Sequence, residues 1–176
     1  MPATPATPAT PGSVDARLEA LGLELPAAAR PVANFVPCVQ TGSTLFVSGQ
    51  IPAWNGELRH LGKLGRDVSV DEARAAARLC ALNVLAQARA FLGGLDRVAR
   101  VCQVQGFVNA VPDFTDHPAV INGASDVFVE VFGEAAGAHA RFAVGAGSLP
   151  FNVAVEVAAV FEVMRVEGSD GAGRRV

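Results

Sequence analysis

The chain has 176 residues, of which 51% are hydrophobic and 18% charged, and its formal net charge is -3 at pH 7. This length supports one domain that buries a core without disulfide or metal staples, and the negative charge offers no basic surface to phosphate, so nucleic-acid binding is not expected. No window provides the roughly eighteen apolar residues of a membrane span, and the N-terminus lacks a signal-peptide pattern, so no membrane association and a cytoplasmic location are expected.

Both ends of the chain are predicted to be disordered. Residues 1–13 contain a Pro/Ala/Thr repeat that has no apolar surface to bury, and residues 167–176 are polar and rich in glycine. One folded domain is therefore expected over residues 14–166.

The first predicted elements are a short helix and a β-hairpin. Ser13 can cap a helix over residues 14–23. Two strand-like apolar runs follow between residues 32 and 52, and the turn residues 41–43 between them indicate a hairpin. The segment at residues 56–65 is rich in glycine and basic residues, which is typical of an irregular loop over a cleft or an edge.

Two amphipathic helices are predicted on either side of a strand. Ser69 and Glu72 match a capping box, and the helical apolar periodicity after them continues to the glycine pair at 93–94. Over residues 100–110, the even positions from Cys102 to Ala110 are small and apolar, and glutamine and asparagine lie on the other face, which indicates a strand. Residues 117–133 place their apolar side chains along one helical stripe, which predicts the second helix.

The last apolar stretch, HARFAVGAGSLPFNVAVEVAAVFEV at residues 139–163, is predicted to form two strands because Gly145, Gly147 and Pro150 interrupt it. The order of hairpin, helix, strand, helix and two strands favours an α+β fold, a mixed sheet with both main helices on one face. The other face is expected to pack against another subunit, because the final strand is apolar on both sides.

Arg141 and Glu156 interrupt this stretch with opposite charges. A buried arginine destabilises a protein when it has no partner, so Arg141 is expected to have one. One interpretation is that the two residues pair across neighbouring strands and fix the register. The other is that Arg141 lines a pocket for a ligand carboxylate while Glu156 holds a water. The residues alone leave both interpretations open.

No metal site or disulfide framework is predicted. His60, His117 and His139 lack the close spacing of metal ligands. The three cysteines are odd in number and far apart. His139 lies two residues before Arg141, either at the rim of a cleft or in a solvated loop.

The motifs VSGQIP, VINGASDVF and HARFAVGAGSLPFNVAVEVAAV resemble the Rid family, also called the YjgF family, of reactive-intermediate deaminases. The resemblance covers residues 32–163, and its most specific part is the arginine, the LP pair and the apolar strand with a glutamate. It implies a chorismate-mutase-like fold and a homotrimer with a central β-barrel and clefts at the subunit interfaces. Active members hydrolyse 2-imino acids, or their enamine tautomers, to 2-oxo acids and ammonia without a metal or an organic cofactor.

Five positions match the site of this family. Arg141 corresponds to the arginine that holds the substrate carboxylate, and Glu156 to the glutamate near the attacking water. Ser48 and Gly49 match the pocket serine and the glycine after it, and Asn122 matches the helix asparagine near the site. The resemblance therefore implies a site for a small carboxylate.

Two positions depart from the deaminase pattern. Phe35 stands where active deaminases have a tyrosine, so its ring can form a wall of the site but offers no hydroxyl. Ala143 replaces their cysteine. With the longer loop at residues 56–65, these changes resemble a divergent branch whose members are often labelled endoribonucleases (L-PSP).

Three functions follow as expectations. The leading one is a hydrolase for imino or enamine acids. The second is a trimeric module that binds a small carboxylate without turnover, which Phe35 and Ala143 favour. The third is an RNA-cleaving enzyme, which the acidic chain and the lack of a His/Lys cluster oppose.

Overall fold

The structure is a computed structural model that describes residues 12–31 and 33–164. Its elements are, in chain order, α1 (Val14–Ala20), β1 (Cys38–Thr41), β2 (Thr44–Gln50), β3 (Ala53–Trp54), β4 (Glu57–Leu58), α2 (Val70–Leu92), β5 (Val98–Asn109), α3 (His117–Phe132), α4 (Glu134–Gly137), β6 (Ala140–Ala146), a 3-10 turn (Pro150–Asn152) and β7 (Val155–Val163). The tail predicted at 167–176, and nearly all of the tail predicted at 1–13, lie outside the described residues.

A five-stranded sheet in the order β1-β2-β7-β5-β6 forms the centre of the fold. β5 and β6 are parallel, and the other neighbouring strands are antiparallel. The parallel pair requires a crossover, which α3 provides. The predicted α+β fold with a mixed sheet is confirmed, and β6 is an edge strand of that sheet.

The two long helices, α2 and α3, pack on the same face of the sheet. Every second residue of β7, from Val155 to Val163, is buried in the core beneath them, as the two-residue period of a strand requires. The largest fully buried side chains of this core are Phe128, Phe161, Leu45, Leu64, Leu85, Leu95 and Ile121. The prediction that both helices cover one face is therefore confirmed.

The ends of α2 follow the signals in the sequence. Ser69 Oγ accepts a hydrogen bond from the Glu72 amide at 3.2 Å, and Glu72 Oε2 accepts one from the Ser69 amide at 2.9 Å. Gly93 ends the helix with a φ of 77°, a conformation that favours glycine. The predicted capping box and helix end are both confirmed.

A close approach between α2 and α3 sets the position of α3. A β-carbon at Gly123 would overlap the backbone carbonyl of Arg74, so only glycine allows this spacing. Arg74 Nη2 also donates to Asp126 Oδ2 at 2.6 Å. Such exposed ion pairs contribute at most about 1 kcal/mol, so the glycine contact determines the spacing. This position of α3 brings Asn122 and Ser125 close to strand β6.

The sheet face away from the helices, called the open face below, is apolar and uncovered in the single chain. Val39, Phe46, Phe142 and Val144 lie on it, with between 37% and 52% of their surface exposed. The Phe107 ring packs edge-on against Phe142, with the ring centroids 5.8 Å apart. Contiguous apolar side chains of this kind mark interaction surfaces.

A β-bulge corrects one detail of the predicted β5 strand. The pairing of β5 with β7 shifts between Val101 and Gln103, which places Val101 rather than Cys102 in the buried core. Beyond the bulge, the alternation follows the prediction, with Val104 and Val108 buried.

The loop at residues 56–65 is more ordered than expected. Its first residues form β4, which pairs with β3. Lys63 Nζ then donates to Asn109 Oδ1 at 2.6 Å and to the Gly147 carbonyl at 2.8 Å. The loop is therefore tied to the ends of β5 and β6 instead of lying loosely over the sheet.

Candidate active site

Arg141 lies on the edge strand β6 and points to the helix-covered face of the sheet. It pairs in register with Val104, which is fully buried under the helices. Arg141 Nη1 donates to Asn122 Oδ1 at 2.8 Å and to Ser125 Oγ at 3.0 Å. Because both bonds use Nη1, the edge of the guanidinium formed by Nε and Nη2 makes no hydrogen bond to any described residue. This edge is the one that binds carboxylates in a bidentate manner.

The α3 helix supplies both partners of Arg141. Asn122 and Ser125 are three residues apart, so they lie on the same side of the helix. Ala143 is two residues after Arg141 on the same face of β6, where it packs against the core. Its methyl group offers no polar atom to a ligand.

His139 extends the contacts of Arg141. Its Nε2 lies 3.0 Å from Ser125 Oγ, and its Nδ1 lies 2.6 Å from the Gly137 carbonyl oxygen. Since a carbonyl oxygen can only accept, Nδ1 carries the hydrogen, and Nε2 of the neutral ring accepts from the Ser125 hydroxyl. Burial lowers the pKa of His139, the hydrogen bond to the Gly137 carbonyl partly opposes this, and the charge of Arg141 lowers the pKa further, so the net shift favours the neutral ring.

Glu156 lies on the central strand β7 and faces the open face. It pairs in register with Phe107, next to the apolar side chains of that face. The carboxylate lies directly over Gly49 of β2, where a β-carbon would overlap Glu156 Oε1. Burial raises the pKa of the Glu156 carboxyl above its ordinary value. A carboxyl in this environment is suited to accept and return a proton.

A β-bulge that contains Ser48 and Gly49 places Gly49 beside Glu156. The register between β2 and β7 shifts between Val47 and Gln50, so two residues of β2 face one residue of β7. Gln50 Nε2 donates to the carbonyls of Ser48 and Gly49, each at 3.1 Å, and holds the bulge in shape. Of the predicted site residues, Gly49 therefore lies against Glu156, and Ser48 precedes Gly49 in the bulge.

Phe35 lies in the bend that precedes β1. Nearly half of its surface, 48%, is exposed. None of the aromatic pairs among the described residues includes its ring. In a single chain, Phe35 is therefore available to form a wall but does not yet enclose a site.

The structure separates the predicted site residues into two groups. Arg141 and Asn122 lie on the helix-covered face at β6, whereas Glu156 lies on the open face at β7, and β5 runs between these two strands. Neighbouring strands are about 4.8 Å apart, so the two strands are about twice that distance apart. The interpretation that Arg141 and Glu156 pair across neighbouring strands is wrong, and one small ligand cannot contact both within a single chain.

One concavity of the single chain lies away from the predicted site residues. A shallow depression is lined by Gly65, Arg66, Val111, Asp113 and Phe114, none of which is a predicted site residue. Across residues 12–31 and 33–164, no three His, Cys, Asp or Glu side chains are grouped closely enough to hold a metal ion. None of the helices in these ranges is long and apolar enough to cross a membrane.

Ser125 is the site residue that sequence reasoning missed. The available signal was its position one helical turn after Asn122, on the same side of α3. His139 was placed at a possible cleft rim, and the structure shows that it contacts Ser125 next to Arg141.

A family model described as YjgF/chorismate mutase-like, putative endoribonuclease, matches residues 15–163. The chain belongs to this family. It is 51% identical over 152 residues to Protein TCP17 of Trypanosoma cruzi, covering 86% of this chain and 95% of that protein.

Solved structures agree with this assignment. Atu1372 from Agrobacterium tumefaciens, of unknown function, is 47% identical with a TM-score of 0.79, covering 86% of this chain and 92% of that one. A Shewanella oneidensis protein, described as a putative endoribonuclease, is 38% identical with a TM-score of 0.83, covering 86% and 100%. The more distant Escherichia coli TdcF, solved with bound serine, is 26% identical with a TM-score of 0.54, covering 80% and 94%.

Proposed function

We propose that the protein hydrolyses 2-imino acids, or their enamine tautomers, to 2-oxo acids and ammonia in clefts between the protomers of a homotrimer. The observation that carries the proposal is Arg141, whose Nη1 is held by α3 while its Nε–Nη2 edge faces away from those bonds. The proposal includes one domain over residues 14–166, a cytoplasmic location, and chemistry without a metal or an organic cofactor.

Assembly follows from the distribution of the site residues. A ligand that contacts both Arg141 and Glu156 needs two chains, because the sheet separates them in one chain. The apolar open face supplies a surface for this assembly, and Glu156 lies on it beside Phe107. In the proposed trimer, with the open faces around a central barrel, the β6 edge of one protomer brings Arg141 to Glu156 of its neighbour.

In the proposed mechanism, Arg141 binds the substrate carboxylate and turns the C=N carbon toward a water, which makes the attack effectively unimolecular. Glu156 accepts a proton as the water oxygen bonds to this carbon, and the π electrons of the C=N bond move to the nitrogen, which is protonated. Glu156 supplies that proton and then transfers the hydroxyl proton to the amino nitrogen, so the C–N bond breaks, ammonia leaves and the 2-oxo acid remains. Ser48 and Asn122 offer hydrogen bonds at the two sides of the cleft.

The raised pKa of Glu156 supports its part in this sequence. A carboxyl whose pKa is closer to neutral pH than usual can take the proton from water and return it to nitrogen. A small amino acid bound by E. coli TdcF supports the substrate class, since serine and an imino acid share the carboxylate and the neighbouring nitrogen.

A binding module without turnover is the second candidate. It is favoured by Phe35, which has no hydroxyl, and by Ala143, which has no thiol. The descriptions of some relatives raise RNA cleavage as a third, which the net charge of -3 opposes. Salt-dependent RNA binding would be required to support it.

The decisive experiment measures ammonia release from freshly generated 2-iminopropanoate and from a bulkier imino acid. Arg141→Ala and Glu156→Gln should each lower the rate by at least about 100-fold. Glu162→Gln is the matched control, because Glu162 lies on the same strand and face but is exposed. Arg89→Ala controls for the loss of an exposed arginine.

Three outcomes separate the candidates. Loss of rate in both site variants and not in the controls supports the hydrolase. No rate above buffer from the wild type, together with Arg141-dependent binding of pyruvate or serine, supports the binding module instead. A wild-type rate that Arg141→Ala leaves unchanged contradicts the assignment of Arg141.

A further inference from the structure

Ser125 lies between two functional groups that the proposed reaction does not otherwise connect. Its Oγ accepts from Arg141 Nη1 at 3.0 Å and, on the other side, donates to His139 Nε2 at 3.0 Å. His139 Nδ1 then donates to the Gly137 carbonyl at 2.6 Å. All three hydrogen bonds are donated in the same direction, from Arg141 toward Gly137. In such a chain, each hydrogen bond polarises the next and thereby strengthens it.

The far end of this chain is anchored in the fold. Gly137, at the end of α4, is buried, and a β-carbon there would overlap the Phe128 carbonyl and the Val129 backbone. The Phe128 ring packs edge-on against His139, with centroids 6.0 Å apart. The imidazole is thus held by a carbonyl on one edge and an aromatic ring on one side.

We propose that Ser125 and His139 are positioning residues that orient the Arg141 guanidinium for a carboxylate ligand. With Nη1 directed to Ser125 and Asn122, the plane of the guanidinium is set and its Nε–Nη2 edge is aligned before a ligand arrives. The arrangement needs a neutral His139, since only then can Nε2 accept from Ser125. This inference rests on the proposed role of Arg141 in carboxylate binding.

The surroundings of His139 favour this neutral state. It is packed by Ser125 and Phe128 of α3 and by Gly137 of α4, and Arg141 follows two residues later in β6. Of the described residues, Arg141 is the charged group that acts on its pKa, and it disfavours protonation. A protonated ring would place a second positive charge across Ser125 from the guanidinium and would remove the acceptor of the Ser125 hydroxyl.

The test compares Ser125→Val with Ser125→Thr, which have nearly the same shape but differ in the hydroxyl. Pyruvate serves as the carboxylate probe, with its Kd measured by calorimetry on the full-length protein. Ser125→Val should weaken binding about tenfold, because one hydrogen bond to a charged group is lost, whereas Ser125→Thr should stay within about twofold. Turnover at saturating substrate should fall less than the affinity does.

A second readout does not depend on any ligand. The titration of the His139 ring is followed by NMR and assigned with His139→Gln. Ser125→Val and Arg141→Gln should both raise its midpoint, the first by removing a hydrogen bond to the neutral ring and the second by removing a nearby positive charge. Ser125→Thr should restore the wild-type midpoint.

The outcomes separate this inference from the proposed function. An unchanged His139 midpoint in both variants, or a Ser125→Thr protein that behaves like Ser125→Val, overturns the positioning role. If the midpoints shift as expected but pyruvate binds equally to wild type and Arg141→Gln, the hydrogen-bond chain stands and carboxylate binding by Arg141 is refuted.

Discussion

Substitution of Gly49 by alanine tests whether the Glu156 carboxylate acts where the structure places it. The added methyl group would overlap Glu156 Oε1, which is the far end of a flexible side chain. Glu156 can rotate away, so the substitution should lower the free energy of unfolding by no more than about 1 kcal/mol. Part of this loss is offset because the unfolded chain has less conformational entropy with alanine than with glycine at position 49. The fold should survive while the carboxylate leaves its position over β2.

The activity should fall much more than the stability. A displaced general base forfeits a contribution of about 100-fold or more, so kcat for ammonia release should drop by that factor while the urea midpoint hardly moves. Once displaced toward water, the carboxyl should also titrate closer to its ordinary pKa, measurable by NMR of the side-chain carbon. An unchanged Glu156 titration together with an unchanged rate would refute the placement of this side chain.

Three further predictions concern the fold and its surfaces. Phe46→Asp or Phe142→Asp should shift sedimentation from trimer to monomer, because a charge would be buried in the proposed interface; persistence of the trimer would contradict the use of the open face. Gly123→Ala should lower the free energy of unfolding by about 1–3 kcal/mol, since the Arg74 carbonyl cannot move as a side chain can; an unchanged urea midpoint would contradict the close contact. Because burial raises the pKa of Cys38 to about 11, iodoacetamide at pH 8 should leave this thiol unmodified in the folded protein, as measured by mass spectrometry. Rapid labelling of Cys38 would contradict its burial, because it would show an accessible thiolate.

Local signals predicted most elements of the fold. The capping box at Ser69 and the glycines after α2 act through the backbone of a few adjacent residues, so they can be read without tertiary knowledge. Gly145, Gly147 and Pro150 likewise predicted that the last apolar stretch divides into two strands, which are β6 and β7. The bulge that moves Cys102 out of the core could not be predicted, because it depends on how β5 meets β7.

The arrangement of the site depended on strand order, which local patterns do not contain. Arg141 and Glu156 lie on consecutive strands, and consecutive strands are often neighbours. Here β6 instead pairs parallel with β5, so β5 lies between them and the two side chains face opposite sides. The contact of Ser125 with His139 could not be predicted from local patterns either, because it joins helix α3 to the connection between α4 and β6.

The separation of Arg141 from Glu156 leads to a quantitative prediction about the assembly. If each site takes Arg141 from one protomer and Glu156 from its neighbour, then Arg141→Ala and Glu156→Gln chains, each inactive alone, should complement one another when co-expressed with different tags and purified as mixed trimers. Every mixed trimer, whichever variant it holds twice, has one site in three with both residues intact, so about a third of the wild-type ammonia release should return.

A site contained in one chain would give a different result, because every chain in the mixture lacks one of the two residues. The mixed trimers would then be as inactive as the separate variants, and the shared cleft would be refuted. The result does not depend on which imino acid is preferred, since wild type and mixture are compared on the same substrate. Regained activity would support an assembly in which the β6 edge of one protomer meets the open face of the next, since these are the strands that carry Arg141 and Glu156.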